Sequence, residues 1–315
     1  MKHISMSKRP KITLKRAAIA LSLTILGIPL LLLLIYSALL LSRPPRTETQ
    51  QQLFQGIFYR RFARSTPRPN TIHIVTIDLT APGIGVLVTP GNPNGWDKER
   101  GQPYELRAKT TSDFVKQFKL QLAINGSFFG PFRENGPLDY YPHNGDPVSI
   151  FGQVISNGNS YSSSQSDSTV LCFAPDNRVQ IRRESCEKSA VQALSGGDVF
   201  VDGGKPVVLK DNPTKNDLYP RTAVAIDKSG EKLWLIIVDG RQAKYSEGMT
   251  LPELTDIVME LGAYTALNLD GGGSTTLVVA DAGGTRSLNS PIHTRIPMRQ
   301  RPIANHLGFY ARPKD

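Results

Sequence analysis

Residues 233–241 read Leu-Trp-Leu-Ile-Ile-Val-Asp-Gly-Arg, residues 250–262 read Thr-Leu-Pro-Glu-Leu-Thr-Asp-Ile-Val-Met-Glu-Leu-Gly, and residues 265–276 read Thr-Ala-Leu-Asn-Leu-Asp-Gly-Gly-Gly-Ser-Thr-Thr. The first stretch opens with a continuous apolar run, as expected of a strand buried on both faces. The second starts with a capping box, Thr250 with Glu253, then carries Leu251, Leu254, Ile257, Val258 and Leu261 as one helical stripe and stops at Gly262. The third returns to a strand at 265–269. Strand, helix, strand predicts a right-handed crossover between strands running the same way, so Asp239 and Asp270 end at one edge of a sheet.

Working outward, the same signals predict strands at 72–79, 84–88, 120–124, 170–173, 179–181, 199–201, 222–226, 276–279 and 303–310. A short helix follows the cap at Thr110, with Phe114, Val115 and Phe118 on one face. The expected class is α+β: a mixed β-sheet core with a few flanking helices, preceded by one N-terminal transmembrane helix. The serine- and asparagine-rich stretch 156–168 reads as an exposed mobile connection.

From Ala17 to Ser42 no residue is charged, and 25–35 is almost entirely Leu and Ile. Such a helix is roughly 39 Å long, enough to cross a hydrocarbon layer of about 30 Å. The expected organisation is a basic cytoplasmic tail at 1–16, a signal anchor at 17–42, a juxtamembrane linker and domain entry at 43–69, and one folded domain at 70–315. Bases before the segment keep the N-terminus cytoplasmic and put the domain outside, in contact with the bilayer only through its anchor. A cleaved signal peptide is the alternative, against which the segment's length argues.

The net charge of +10 does not describe that domain. Eight of the 37 bases and no acid lie in 1–46, leaving 29 bases against 27 acids beyond. The body is close to neutral, which removes the electrostatic case for nucleic acid as partner. Two cysteines, Cys172 and Cys186, flank the turn Pro175-Asp176-Asn177, and are either a disulfide in an oxidising compartment or two buried thiols.

Four polar-glycine clusters sit at predicted strand ends: Asn125-Gly126-Ser127, Ser195-Gly196-Gly197-Asp198, Asp239-Gly240-Arg241 and Asp270-Gly271-Gly272-Gly273-Ser274. Any one reads equally as a tight turn, while four together suggest loops that meet a ligand. The last lacks the Gly-Lys-Ser/Thr ending of a phosphate loop and the spacing of a dinucleotide fingerprint. His3, His73, His143, His293 and His306 share no zinc-ligand spacing, and no Gly-x-Ser-x-Gly elbow is present, so neither a zinc site nor a serine hydrolase is indicated.

These elements, with Pro-Arg221-Thr-Ala-Val, the helix entry at Ser246 and Arg301-Pro-Ile-Ala-Asn305-His, together resemble the phosphodiester glycosidase family from about residue 70 to 312. The family's Asn-Gly-Gly-Phe-Phe stands here with Ser127 in place of the second glycine. The resemblance implies hydrolysis of a sugar-1-phosphodiester, of the N-acetylglucosamine type, at the anomeric carbon, on envelope or extracellular glycans such as exopolysaccharide. It implies Asp270 as the carboxylate at the oxocarbenium-like centre and Asp239 as acid/base or orienter, a retaining pair if their strands are adjacent and an inverting one if a strand intervenes. Arg221 and Arg241 would neutralise the phosphate, with Gly271, Gly272, Gly273 and Ser274 as further donors. Asn125, Gly126, Ser127, Gly196, Gly197 and Asn305 would hold the sugar. No cofactor is required on this reading. A divalent cation between Asp239 and Asp270, giving metal-assisted phosphodiester cleavage, and a glycan-binding protein without catalysis are the alternatives.

Overall fold

The computed structural model describes residues 14–92, 94–97, 101–163, 168–209 and 214–314. The basic tail expected at 1–16 lies mostly outside them. The chain divides into two units, Met1–Ser42 and Arg43–Asp315. The first is described as one helix, Leu14–Leu41, with Pro29 inside it. Its stretch Thr24–Leu41 is long and apolar enough to cross a membrane and buries none of its residues within the protein.

The second unit is built on an eight-stranded sheet in the order Thr49–Phe54, Ile57–Arg64, Asn70–Asp78, Lys232–Val238, Arg221–Ile226, Thr265–Asn268, Val199–Asp202, Lys205–Pro206. Every neighbouring pair in it is antiparallel. The strands Lys232–Val238 and Thr265–Asn268 do run the same way, as the crossover requires, but Arg221–Ile226 lies between them and opposes both. Parallel direction therefore appears without parallel neighbours.

Both faces of this sheet are covered, and the period of two divides them. Trp234, Ile236 and Val238 join Ile72, Ile74, Ala223 and Ala225 in a core with the helix Leu251–Glu260. Leu233, Leu235 and Ile237 point the other way, with Val75, Ile77 and Val224, into the principal core. There they meet two five-stranded sheets, one of which includes Leu277–Asp281, Leu122–Asn125 and His306–Tyr310 and the other Gln192–Gly196 and Thr169–Phe173. The capped helix Thr111–Phe118 covers the far side of the first of these with Phe114 and Val115. Thr250 and Glu253 make the reciprocal capping bonds. The result is α+β, mostly sheet.

Two expectations are corrected. Residues 43–69 are not only linker, because Thr49–Phe54 and Ile57–Arg64 form a hairpin that extends the main sheet. The first of these strands is the sheet edge, and its Gln50-Gln51-Gln52 run is exposed, so no apolar alternation marks it. Likewise Val154–Ser156 and Asn159–Ser162 pair around Asn157-Gly158 where an irregular connection was expected. Residues 164–167 of that stretch lie outside the described residues. Cys172 and Cys186 form a disulfide with a Cα–Cα distance of 5.7 Å.

Candidate active site

A cavity of about 300 Å³ opens where the C-terminal end of Thr265–Asn268 meets the start of Arg221–Ile226. Its floor is Asn268 to Gly272, and its walls bring Arg221, Arg241, Arg301, Tyr219, Phe128, Phe132, Glu134, Gly197 and Asp198. Of the residues singled out in the sequence, Asp270, Gly271, Gly272, Arg221, Arg241 and Gly197 line it. Asp239, Asn125, Gly126, Ser127, Gly196, Gly273, Ser274 and Asn305 do not.

The turn after Asp270 explains its glycines. Gly272 has φ +60°, and a Cβ there would sit 3.2 Å from the Arg241 guanidinium, while one at Gly273 would run into that of Arg301. Two cations thus approach a backbone stripped of side chains. Within the turn, Gly272 donates to the Pro220 carbonyl at 2.9 Å and Ser274 N to the Gly271 carbonyl at 3.1 Å. Of the N–H groups in 271–273, that of Gly272 is thus spent on Pro220, while the guanidiniums of Arg241 and Arg301 lie against the turn.

Asp270 is held from behind. Its carbonyl accepts from Asn125 Nδ2 at 2.5 Å, and its N–H donates to Gly126 O at 3.2 Å. Asn125 Oδ1 also accepts from Thr222 Oγ1 at 2.8 Å and from Thr276 N at 3.1 Å, so one fully buried amide ties its own strand to Arg221–Ile226 and to both ends of the turn 270–276. Asn305, also buried, spends its amide on one residue, accepting from Ser127 N at 2.7 Å and donating to Ser127 Oγ at 3.1 Å. Both asparagines shape the wall and neither faces the cavity, which corrects their assignment to the sugar.

Asp239 is also corrected. Although its strand ends at the expected edge, its carboxylate is buried and occupied: Oδ1 accepts from Asn289 Nδ2 at 3.0 Å and Ser290 N at 2.9 Å, and Oδ2 lies 3.1 Å from His73 Nε2. His73 Nδ1 in turn lies 2.8 Å from the Tyr59 hydroxyl, whose pKa burial pushes up to about 12. This is an interior network, so the retaining-or-inverting expectation built on Asp239 and Asp270 lapses.

The cations differ in freedom. Arg221 is buried and spends Nε on Met249 O at 2.9 Å and Nη2 on the carbonyls of Thr214 and Asp217 at 3.0 and 2.8 Å. It braces the cavity wall more than it offers a fork. Arg241 is exposed, lies 5.0 Å over the Tyr219 ring, and makes no side-chain hydrogen bond among the described residues. Arg301, to which no role was given, is buried against Phe132 at 4.4 Å and donates to Ser274 Oγ at 3.2 Å and to Glu134.

Two carboxyl groups of opposite character therefore share the cavity. Burial raises the Asp270 pKa, against the pull of Arg301, Ser274, the Gly271 N–H and Arg241. Burial acts the same way on Glu134, but there His293, Arg301 and the Thr294 N–H prevail and hold it at about 2. Among the described residues no group of three or more His, Cys, Asp or Glu side chains is gathered to hold a metal ion. Guanidiniums suit phosphoryl oxygens, aromatic faces suit a sugar, and a carboxylate beside them suits an electron-poor anomeric carbon.

A family model described as phosphodiester glycosidase matches residues 118–310, more than half of the chain. A curated relative, the bovine N-acetylglucosamine-1-phosphodiester alpha-N-acetylglucosaminidase, is 26% identical over 218 residues, covering 61% of this chain and 36% of its own. The chain thus corresponds to little more than a third of that relative. The catalytic domain of the zebrafish enzyme of the same name, solved auto-inhibited by its pro-peptide, aligns with a TM-score of 0.56 at 22% identity over 86% of this chain and 87% of that one. A Synechocystis protein of unassigned function aligns with a TM-score of 0.57 at 15% identity over 86% and 64%. These two show the fold; the family match, running from the helix Thr111–Phe118 through the Asp270 turn to the last strand, shows that the chain belongs to the phosphodiester glycosidase family.

Proposed function

We propose that this protein hydrolyses a sugar-1-phosphodiester of the N-acetylglucosamine type at the anomeric carbon. The observation that carries the reading is Asp270 on the floor of a cavity flanked by Arg241 and Arg301. In the reaction the bond between C1 and the bridging oxygen breaks, that oxygen leaves with the phosphomonoester, water supplies the new hydroxyl on C1, and its second proton passes to solvent. That leaving group has a second pKa of about 6, so neutralising its charge matters more than protonating it. Arg241 takes the phosphoryl oxygens, since its guanidinium makes no side-chain hydrogen bond among the described residues, and Arg301 adds charge from the buried side. Asp270, ionised, stabilises or attacks the oxocarbenium-like centre, and Phe128, Phe132 and Tyr219 offer faces to the sugar ring.

The apolar N-terminal helix supports a single-pass anchor with the folded body outside the cytoplasm, and the Cys172–Cys186 disulfide supports an oxidising compartment. Envelope or extracellular glycans are the corresponding substrates. The deciding experiment is hydrolysis of an N-acetylglucosamine-1-phosphodiester in ¹⁸O-water. Label in the sugar supports this chemistry, whereas label in the phosphate would mean attack at phosphorus, and tight binding without turnover would mean a glycan-binding protein.

A further inference from the structure

The apolar stretch ends at Leu41, and the folded unit begins at Arg43. Arg43 is fastened at once. Its guanidinium lies 4.5 Å over the Tyr245 ring and donates from Nη1 to Gln242 Oε1 at 3.4 Å, while the Tyr245 hydroxyl donates to the Pro44 carbonyl at 2.9 Å. The residues that receive it are themselves held: Gln242 and Tyr245 are buried, and the Gln242 amide exchanges two bonds with Ser290, both at 2.9 Å. Next to Gln242 in the chain is Arg241, which lines the cavity and lies against Gly272. From Leu41 to Arg43 the backbone reaches at most about 8 Å, no more than the depth of one headgroup layer. The turn that carries the guanidinium assigned to the phosphate is therefore pinned to the residue where the chain leaves the bilayer.

The cavity's rim supplies a second observation. Phe132, which lines the cavity, is 48% exposed, and Phe151, whose N–H donates to the carbonyl of the lining residue Phe128 at 3.1 Å, is 53% exposed. Leu138, at the tip of the hairpin that brings Glu134 into the cavity, is 97% exposed. Large apolar side chains left uncovered around one opening mark a surface that meets apolar matter. We propose that the phosphodiester taken here is lipid-linked: the sugar enters the cavity, its 1-phosphate sits at Arg241, and the phosphate's second ester is to a long-chain alcohol that passes over Phe132 and Phe151 and stays in the bilayer. This rests on the hydrolase reading and on the apolar helix spanning a membrane, and it adds the aglycone. Water adds to C1 as the bond from C1 to the bridging oxygen breaks, so the products are the free sugar and a lipid monophosphate, the water's second proton passing to solvent.

The test compares two esters of N-acetylglucosamine-1-phosphate, one to a long-chain prenol and one to methanol, with the full-length protein in vesicles of neutral phospholipid. A second protein carries ten Gly/Ser residues inserted between Ser42 and Arg43, which leaves the Arg43 clamp and the cavity intact and lets the folded unit drift roughly 15–20 Å from the membrane. The wild type is expected to cleave the prenyl ester with kcat/KM about 100-fold above that of the methyl ester, and the insertion to lower the prenyl value about tenfold while leaving the methyl value unchanged. Equal values for the two esters in the wild type, or an insertion without effect on the prenyl ester, would overturn the inference and leave hydrolysis standing. Cleavage of neither ester would instead defeat the hydrolase reading. The aglycone is then decided by a photoreactive diazirine in the prenyl chain beside the phosphate, whose crosslinks are expected within 128–151 and whose absence there would overturn the inference.

Discussion

Replacing Asn125 separates a wall from a ligand. Its side chain makes three interior bonds, to Asp270 O, Thr222 Oγ1 and Thr276 N, and it is fully buried. Asn125→Ala leaves a carbonyl and an N–H without partners and opens a small void. Each stranded group costs about 1–3 kcal/mol, and the hydroxyl of Thr222 can turn elsewhere, so the loss is about 3–5 kcal/mol. Marginal stability makes that a large fraction of the total. The assay is urea unfolding followed by tryptophan fluorescence, with sugar release measured on the fraction still folded. Stability should fall by that amount and kcat should fall with it, because Asp270 loses its rear support. An unchanged unfolding midpoint with a raised KM alone would refute the reasoning and return Asn125 to the sugar.

Other outcomes follow from the same geometry. Arg241→Ala should raise KM for a phosphodiester about 10- to 100-fold with little change in melting temperature, because the side chain is exposed and makes no side-chain hydrogen bond among the described residues. Asp239→Asn should destabilise the protein by about 2–4 kcal/mol while the folded molecules keep near-normal turnover, checked by unfolding and kinetics in parallel. For pH, burial raises the Asp270 pKa, and a group that acts ionised loses activity as the pH falls through that raised value. The acidic limb of kcat/KM should therefore lie above the ordinary aspartate range near 4, and a limb at or below it would contradict the assignment.

Much of the fold is legible in the chain because its central strands are buried on both faces. Runs such as 233–238 and 222–226 are apolar throughout, and the helix Leu251–Glu260 announces both of its ends. What escapes is the strand whose residues answer to water: Thr49–Phe54 is a glutamine-rich edge. At the site, the triple glycine and its aspartate are visible as one of four polar-glycine clusters at strand ends, which together suggest loops that meet a ligand. The direction of a side chain is not visible. Asn125, Asn305 and Asp239 are polar residues at strand ends, as ligand-binding residues are, yet all three turn inward to neighbours that only the folded chain supplies. Glu134 sits in a polar turn, Arg-Glu-Asn-Gly, that looks like any solvated one, and it meets Arg301 across 167 residues. Arg301 itself was within a recognisable segment, but nothing in one sequence says that its guanidinium lies over Gly273.

The central claim is that Asp270, set among guanidiniums, carries the chemistry. The direct measurement is release of N-acetylglucosamine from its 1-phosphodiester by the full-length protein and by Asp270→Asn, with unfolding curves recorded on both. The account predicts a drop in kcat of about 10³-fold or more in a variant that still folds and still binds the substrate. Wild-type turnover by folded Asp270→Asn would contradict it.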